Sequence, residues 1–253
     1  MQQLMPAPEA NSSGTLDTLE ALAAAYPYPS RPRGPYLRAN MVASLDGAAS
    51  HEGTSGPLSS PGDKKIFGVL RALADAVLVG AETARREGYR PAKARKDFQE
   101  QRAADGQSPA PAIAVLSRRL DLDFSAPLFT GASTPTIVLT GSAADPERRA
   151  AAEKAGAVVV TAGEGESVDP ARAVRELAAL GHTRLLHEGG PRVLAQFAAA
   201  GVLDELCLTL APVLTGGSAP RIMNGPEVPG PARYVPAGLL TEDGFLFARY
   251  VRG

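Results

Sequence analysis

From Tyr36 onward, short apolar runs alternate with segments whose apolar residues recur three and four positions apart. The short runs have the composition of buried strands, and the longer spacing is that of one face of a helix. Strands that alternate with helices in this way are typical of βαβ units built around a parallel sheet. The predicted strands are 36–44, 76–79, 112–116, 136–139, 157–161, 184–187, 205–213 and 245–251.

Capping residues mark where the helices begin. Three segments start with an N-cap side chain followed by a proline, at Ser60-Pro61, Asp145-Pro146 and Asp169-Pro170, and a fourth starts at Gly190-Pro191. The last two strands are separated only by the Gly- and Pro-rich stretch 215–238, so at least one of them is expected to pair antiparallel. The pattern predicts an α/β fold with helices on both faces of a mainly parallel central sheet and an antiparallel C-terminal strand.

Two segments fall outside this alternation. Residues 1–34 form a polar N-terminal tail, in which Leu16, Leu19 and Leu22 recur at helical spacing and predict one short amphipathic helix. The tail has neither the basic start nor the apolar stretch of a signal peptide. The polar insertion 90–109 is expected to be a surface loop or a mobile lid. We therefore expect a tail over 1–34 and one domain over 35–253.

Charge and cysteine content narrow the functional classes. The 253 residues include 26 Lys plus Arg and 27 Asp plus Glu, a formal net charge of −1, so no overall field draws the protein to nucleic acid or to an anionic membrane. No stretch approaches the roughly 18 consecutive apolar residues of a membrane-spanning helix. The single cysteine, Cys207, excludes an internal disulfide and a thiolate zinc site, and the three histidines have no ligand spacing. We expect a cytoplasmic protein that holds no metal and binds a small molecule.

Candidate chemistry lies at the ends of predicted strands, where open α/β sheets place their ligand sites. The first strand runs out into Ser44-Leu45-Asp46-Gly47. Asp-Gly is an ordinary turn dipeptide, but a carboxylate at this place could also accept paired N–H donors from a 2-aminopyrimidinone-like ring. The sequence leaves both interpretations of Asp46 open.

Three further strand ends could hold a phosphate-bearing ligand. Val79-Gly80-Ala81-Glu82-Thr83 places a glycine and a threonine hydroxyl at a helix start, although the GxGxxG fingerprint is absent. Ser117-Arg118-Arg119 offers two guanidiniums to a ribose 2′-phosphate, which favours NADPH over NADH, or else forms a solvated basic turn. His187-Glu188-Gly189-Gly190-Pro191 is expected to expose backbone N–H groups to a pyrophosphate, unless the glycines serve only tight packing.

In this order, the motifs resemble the reductase domain of the bacterial riboflavin-biosynthesis deaminase/reductase family, over about 35–253. The family has a dihydrofolate-reductase-like fold and reduces an aminopyrimidine ribosyl phosphate with NADPH, so that hydride addition opens the ribose to a ribityl chain. The motifs that carry the resemblance are Ser44-Leu45-Asp46-Gly47, Gly56-Pro57, Asp63, Leu70-Arg71, the stretch 74–83, Glu188-Gly189-Gly190-Pro191, and the stretches 202–206 and 211–217.

The resemblance implies roles for individual residues. Asp46 would be the catalytic residue and would lie beside the substrate. The resemblance also implies that NADPH is held by Gly80, Thr83, Ser117, Gly189 and Gly190. We expect Val79, Arg118 and Glu188 to join them, and we expect Asn40, Ser44, Arg90 and Glu188 to contribute to the substrate site beside Asp46.

Two departures from the family pattern leave the substrate open. Asn40 stands where the family usually has a lysine, so a cationic contact to the substrate is missing. After Thr83, the stretch 85–91 replaces the family's Asp-Asp-Pro and its phosphate-binding arginine. Dihydrofolate or another pterin, which presents the same 2-amino-4-oxo edge, is therefore an alternative substrate. A non-catalytic dinucleotide-binding protein is a second alternative.

A late strand carries an apolar residue at every second position. An apolar strand face of this length usually needs a partner, so we expect a homodimer, and the related reductases assemble through this region. The residues are Leu206, Leu208, Leu210, Pro212 and Leu214.

Overall fold

The computed structural model describes residues 1–7, 14–29 and 34–253. The chain divides into two compact units. The first comprises Met1–Ser30, Leu37–Leu70 and Pro191–Gly253, and the second comprises Arg31–Tyr36 and Arg71–Gly190. Residues 8–13 and 30–33 of the predicted tail lie outside the described residues, and the predicted boundary between tail and domain stays a prediction.

The first unit contains both antiparallel and parallel strand pairs. Its strands are β1 (Gln2–Met5), β2 (Tyr36–Ser44), β8 (Glu205–Ala211), β9 (Tyr234–Glu242) and β10 (Phe245–Arg252), in the order β1-β9-β10-β8-β2. Only the pair β2 and β8 is parallel, and the other three pairs are antiparallel. Its helices are α1 (Leu19–Ala24), most of α2 (Pro61–Leu73) and α8 (Pro191–Ala199), with a 3₁₀ turn at Gly56–Leu58; the last three residues of α2 belong to the second unit.

The second unit is a parallel α/β layer. Its strands are β3 (Ala76–Gly80), β4 (Ala112–Leu116), β5 (Ile137–Thr140), β6 (Val158–Thr161) and β7 (Arg184–His187), in the order β7-β3-β4-β5-β6, with every pair parallel. Every residue of β3, β4 and β5 is buried, as is typical of parallel strands covered on both faces. Its helices are α3 (Ala81–Arg86), α4 (Gln99–Ala104), α5 (Pro127–Thr130), α6 (Pro146–Lys154) and α7 (Pro170–Ala179), with a 3₁₀ turn at Lys96–Phe98.

The predicted fold class, a mainly parallel α/β fold with antiparallel pairing at the C-terminal end, is confirmed. All eight predicted strands are present. The strand predicted over 205–213 ends earlier, at Ala211, because Pro212 has no N–H for the ladder and the N–H of Val213 donates to the carbonyl of Ala211 at 2.8 Å. The sequence did not predict β1 or β9. In β9 the pairing with β10 shifts between Pro236 and Gly238, so the strand has no regular alternation to detect.

The helix starts lie where the capping residues placed them. Asp145 accepts from the backbone N–H groups of Glu147 and Arg148 at 2.8 and 3.2 Å, and Asp169 accepts from that of Arg172 at 2.6 Å. Ser60 Oγ likewise accepts from the N–H of Asp63 at 3.1 Å. These side chains replace the missing partners of the first helical turn, which is why a local sequence signal is sufficient.

A buried charge cluster lies at the start of β2 and β8 in the first unit. Arg38 and Glu205 are both 0% exposed, and Arg38 Nη2 donates to Glu205 Oε2 at 3.1 Å while its Nε lies 2.8 Å from Oε1. Arg249 of β10 donates to the same Glu205 Oε1 at 2.7 Å. Arg38 also donates to the carbonyls of Tyr26 and Pro27, which follow α1. The cluster therefore attaches this part of the N-terminal segment to the sheet.

The polar insertion 90–109 is anchored in its second half. Phe98 is buried beside α4, and the buried Arg102 donates to the carbonyls of Ala72, Ala74 and Ser108 at 2.7 Å each. Because these carbonyls include the end of α2, the guanidinium also lies at the negative end of that helix. This half of the insertion is part of the core of the second unit.

Candidate active site

Two groups of the predicted site residues are brought together, one in each unit. In the first unit, β2 ends in a tight turn, in which the N–H of Ser44 donates to the carbonyl of Ala48 at 2.9 Å and that of Gly47 donates to the carbonyl of Ser44 at 3.0 Å. Gly47 has a φ of +88°, which only glycine adopts easily. The turn predicted for this dipeptide is therefore present, and it holds Asp46 at the surface.

The carboxylate of Asp46 binds a distant loop. Oδ1 accepts from the Ser44 hydroxyl at 2.5 Å and from the N–H of Thr215 at 3.2 Å, and Oδ2 accepts from the N–H of Gly216 at 2.7 Å. These hydrogen bonds, first that from Ser44 and then those from Gly216 and Thr215, lower the pKa of Asp46 to about 2. Asp46 is thus ionised at any working pH, and it fixes the segment that follows β8.

Asn40 lies on the same strand and is buried. Its register partner on β8 is Cys207, which is also buried. Asn40 lies four residues before Ser44, so the two side chains point to the same face of β2.

In the second unit, the carboxyl ends of β3 and β7 bring two predicted motifs into contact. The N–H of Gly80 donates to the carbonyl of Gly189 at 3.2 Å, and the N–H of Gly190 donates to Thr83 Oγ1 at 3.0 Å. The N–H of Glu188 donates to the carbonyl of Leu78 at 2.9 Å. Motifs more than a hundred residues apart thus form one loop cluster. Val79, which was also expected to bind the cofactor, precedes this cluster on β3, and its side chain is buried.

The expectation that the glycine N–H groups are exposed is wrong. The N–H of Gly190 donates to Thr83, and the N–H of Gly189 donates to Nδ1 of His187 at 3.0 Å. Burial lowers the pKa of His187 to about 3, so this histidine is neutral and Nδ1 remains an acceptor. The glycines have φ angles of +100° and +21°, which indicates that they serve a turn conformation rather than open donors.

Glu188 is held by two residues that the chemistry of the motifs did not single out. Arg71 donates from Nε and Nη2 to the two carboxylate oxygens at 2.7 and 2.6 Å, and the hydroxyl of Tyr89 donates to Oε2 at 2.7 Å. Burial raises the pKa of Tyr89 well above its usual value, and the neighbouring carboxylate adds to the shift. Tyr89 therefore remains a hydrogen-bond donor. No local sequence signal could have found this pair, because the contacts span 117 and 99 residues.

The basic turn after β4 presents two arginines to solvent. Ser117 is buried and its N–H donates to the carbonyl of Leu139 at 3.0 Å, whereas Arg118 and Arg119 are exposed. Leu120, which follows, is fully buried with a φ of +52°, an uncommon conformation for a residue with a side chain. The buried leucine therefore fixes the turn that displays both guanidiniums. Arg90, the remaining predicted residue, is exposed in the loop after α3.

Neither a metal-binding cluster nor a membrane-spanning helix occurs among the residues that the structure describes. In the part of the chain that the structure describes, no three or more His, Cys, Asp or Glu side chains are grouped so that they could hold a metal ion. Within the same residues, none of the helices combines the length and the apolar character needed to cross a bilayer.

Comparison with known proteins gives consistent matches. The family model described as the RibD C-terminal domain matches residues 35–237. The 2,5-diamino-6-ribosylamino-4(3H)-pyrimidinone 5′-phosphate reductase of Aquifex aeolicus is 30% identical over 197 residues, which is 76% of this chain and 83% of the relative. The reductase of the same name from Archaeoglobus fulgidus is 28% identical over 193 residues, 76% of this chain and 87% of the relative. A pyrimidine reductase-like protein from Corynebacterium diphtheriae superposes with a TM-score of 0.78 at 30% identity, covering 87% of this chain and 92% of that one.

Proposed function

Since the chain belongs to the RibD C-terminal domain family, we propose that it is a nicotinamide-dinucleotide-dependent reductase of riboflavin biosynthesis that acts on an aminopyrimidine ribosyl phosphate. The observation that carries the proposal is the match to reductases named for this substrate, which extends over 76% of the chain. Dihydrofolate or another pterin remains the alternative substrate, because Asn40 is not cationic and the edge that Asp46 would recognise is common to both rings.

The second unit would hold the dinucleotide. Its residues fit such a ligand, because the glycine turn places no side chain between the ligand and the carboxyl ends of β3 and β7, and the basic turn presents two guanidiniums to solvent. The residues assigned to the dinucleotide are Val79, Gly80, Thr83, Ser117, Arg118, Gly189 and Gly190. Glu188 is assigned through its place before the glycine turn rather than through its carboxylate, which accepts three hydrogen bonds from the protein. When bound, the dinucleotide supplies the hydride that reduces the ribosyl C1 and leaves a ribityl chain. Thr83 Oγ1, already an acceptor from Gly190, still has its proton to donate to a phosphate oxygen.

The first unit would hold the pyrimidine ring. A carboxylate has about four lone-pair positions. In Asp46, Oδ1 already accepts from Ser44 and Thr215, whereas Oδ2 accepts only from Gly216. We therefore assign one ring N–H to Oδ2 rather than the paired contact first considered. Ser44 and Asn40 of the same unit are also assigned to the substrate, Ser44 through its hydrogen bond to Asp46. Arg90 and Glu188, which belong to the second unit, stay predictions from the sequence.

The function is tested by NADPH oxidation with the aminopyrimidine ribosyl phosphate and with dihydrofolate, measured side by side. We expect turnover with the first, and Asp46→Asn should lower kcat/KM for it by about tenfold without changing NADPH affinity. Turnover with dihydrofolate alone would establish the alternative. NADPH binding without turnover on either compound would identify a non-catalytic binding protein.

We infer that the cofactor is NADPH rather than NADH. Arg118→Ala should raise the dissociation constant of NADPH by about tenfold, because a charge-assisted hydrogen bond to the 2′-phosphate is lost, and should leave that of NADH unchanged. Arg175→Ala, which removes an exposed arginine on α7, is the matched control. Equal effects of Arg118→Ala on both dinucleotides would contradict the assignment.

We also place the enzyme in the cytoplasm. Its single cysteine, Cys207, is buried and free, which is consistent with a reducing compartment.

We also infer that the protein is a homodimer. Along β8 the residues are alternately buried and half-exposed, and the half-exposed ones are Leu206, Leu208 and Leu210. The face continues on β10, where Leu246 and Tyr250 lie opposite two of these leucines, and it extends towards Leu45 and Leu214, which are 63% and 75% exposed. A face of this composition is covered best by a second copy of itself. Light scattering at micromolar concentration should give twice the chain mass, and a monomeric mass would refute the inference.

A further inference from the structure

The strongest unexplained feature of the second unit is the network around Glu188. Its side chain is 1% exposed and its two oxygens accept three hydrogen bonds, two from Arg71 and one from Tyr89. The Arg71 guanidinium also lies 5.2 Å from the centroid of the Tyr89 ring, within the range of a cation–π contact. Glu188 is therefore engaged mainly with the protein, and its carboxylate has little capacity left for a ligand.

The network holds one end of the glycine turn. Gly189 and Gly190 directly follow Glu188, and without side chains they have wide conformational freedom. The backbone bonds described above fix their N–H groups to His187 and Thr83. The bidentate bond to Arg71 fixes the residue that precedes them, and its geometry is the most specific that an arginine and a carboxylate can form.

Tyr89 links the same turn to the far end of α3. The N–H of Tyr89 donates to the carbonyl of Ala84 at 2.9 Å, so this residue continues the last turn of α3. Thr83 in the first turn of α3 bonds to Gly190, and Tyr89 just after its last turn bonds to Glu188. Both ends of the helix are thus tied to one loop. Loss of either hydrogen bond, Gly190 to Thr83 or Tyr89 to Glu188, would let α3 and the glycine turn move independently.

We propose that Arg71 and Tyr89 are positioning residues that clamp Glu188 and thereby hold the Gly189–Gly190 turn in the conformation that binds the dinucleotide. The inference rests on the proposed function for its ligand, but the clamp itself is a property of the free protein. It assigns Glu188 an indirect role, and Arg71 and Tyr89 act on the dinucleotide only through the turn that follows Glu188.

Tyr89→Phe tests the clamp, because it removes one hydrogen bond and keeps the ring beneath Arg71. We expect the dissociation constant of NADPH to rise threefold to tenfold and kcat at saturating NADPH to stay near the wild-type value, since binding but not chemistry is impaired. The backbone amides of residues 188–190 should exchange with deuterium several times faster in the dinucleotide-free variant. Tyr234→Phe is the matched control: its hydroxyl donates to the carbonyl of Leu203 at 2.7 Å in the other unit.

The outcomes separate this inference from the proposed function. A Tyr89→Phe protein with unchanged NADPH affinity and unchanged amide exchange would overturn the clamp, even if its thermal midpoint fell. A wild-type protein that binds no dinucleotide would refute the proposed function and the ligand named here, whereas faster exchange in the variant would still establish that Tyr89 orders the turn. Arg71→Lys, which keeps the charge but loses the bidentate geometry, should reproduce both effects.

Discussion

Replacing Arg38 with methionine is expected to lower the free energy of unfolding by about 3 kcal/mol or more, because it leaves Glu205 as an incompletely compensated buried charge. Both side chains are 0% exposed, and Arg249 is the remaining cation on the carboxylate. The carbonyls of Tyr26 and Pro27 would lose their donor at the same time. Equilibrium unfolding in urea measures the change.

A matched substitution separates burial from charge loss. Arg172→Met also removes an ion-paired arginine, but its partner Glu164 is 87% exposed, so the expected change is within about 0.5 kcal/mol. If Arg38→Met lowered the free energy of unfolding as little as Arg172→Met does, the charges of the buried cluster would contribute nothing to stability.

The Arg38 variant should also be more sensitive to acid. Burial alone would raise the pKa of Glu205, but Arg38 and then Arg249 outweigh it and lower the pKa below its ordinary value. A carboxyl with a lowered pKa in the folded state contributes stability above its unfolded pKa of about 4.3, and the contribution is lost as the pH falls through the folded value. Without Arg38 this loss begins at higher pH, so the acid-unfolding midpoint should move upward.

Gly189→Ala is expected to weaken NADPH binding by about tenfold or more. Gly189 has a φ of +100°, where a side chain costs about 1–2 kcal/mol, so the turn must either store this strain or change shape. A change of shape would disturb the bonds to Gly80 and His187 that order the cluster. Titration of the variant with NADPH, followed by nucleotide fluorescence, measures the effect.

Gly181→Ala is the control for strain alone. Gly181 has a φ of +91° with no atom within 4 Å of an added Cβ, and it lies before the amino end of β7, whereas Gly189 follows the carboxyl end. Both variants should lose similar stability, but only Gly189→Ala should lose affinity. Equal weakening of NADPH binding by both would mean that the turn has no special relation to the dinucleotide.

The features that sequence predicted well are those whose cause is local. Helix starts such as Asp145-Pro146 depend on one side chain and two backbone N–H groups within the next three residues, and parallel strands such as β4 are continuous apolar runs. The family resemblance, which rested on motifs such as Ser44-Leu45-Asp46-Gly47, is confirmed by the match over 35–237. The strand β1 was missed because its order comes from pairing with β9 rather than from its own residues.

Contacts between distant segments account for what the sequence could not predict at the candidate site. Strand-end motifs were expected near one another because adjacent parallel strands end at the same edge, and Gly80 and Gly189 do meet there. The strand pattern does not reveal which hydrogen-bond donors and acceptors pair with one another at that edge. The backbone donors to Asp46 are 169 and 170 residues away, and Thr83 Oγ1 accepts from the Gly190 N–H that was expected to be open. Gly216 and Gly217, with φ angles of +64° and +71°, form a turn after β8, but nothing in their sequence identifies Asp46 as the partner.

The division of the first unit along the chain has a consequence for its synthesis on the ribosome. Nearly all of the second unit is one continuous segment, Arg71–Gly190, whereas the first unit needs residues from both sides of it. When β2 emerges, Arg38 has no carboxylate partner until Glu205 follows 167 residues later. The contiguous parallel layer can therefore form first, and until Glu205 is made the nascent chain carries β2 without its β8 partner and Arg38 without its carboxylate, an interval in which exposed strand edges favour aggregation.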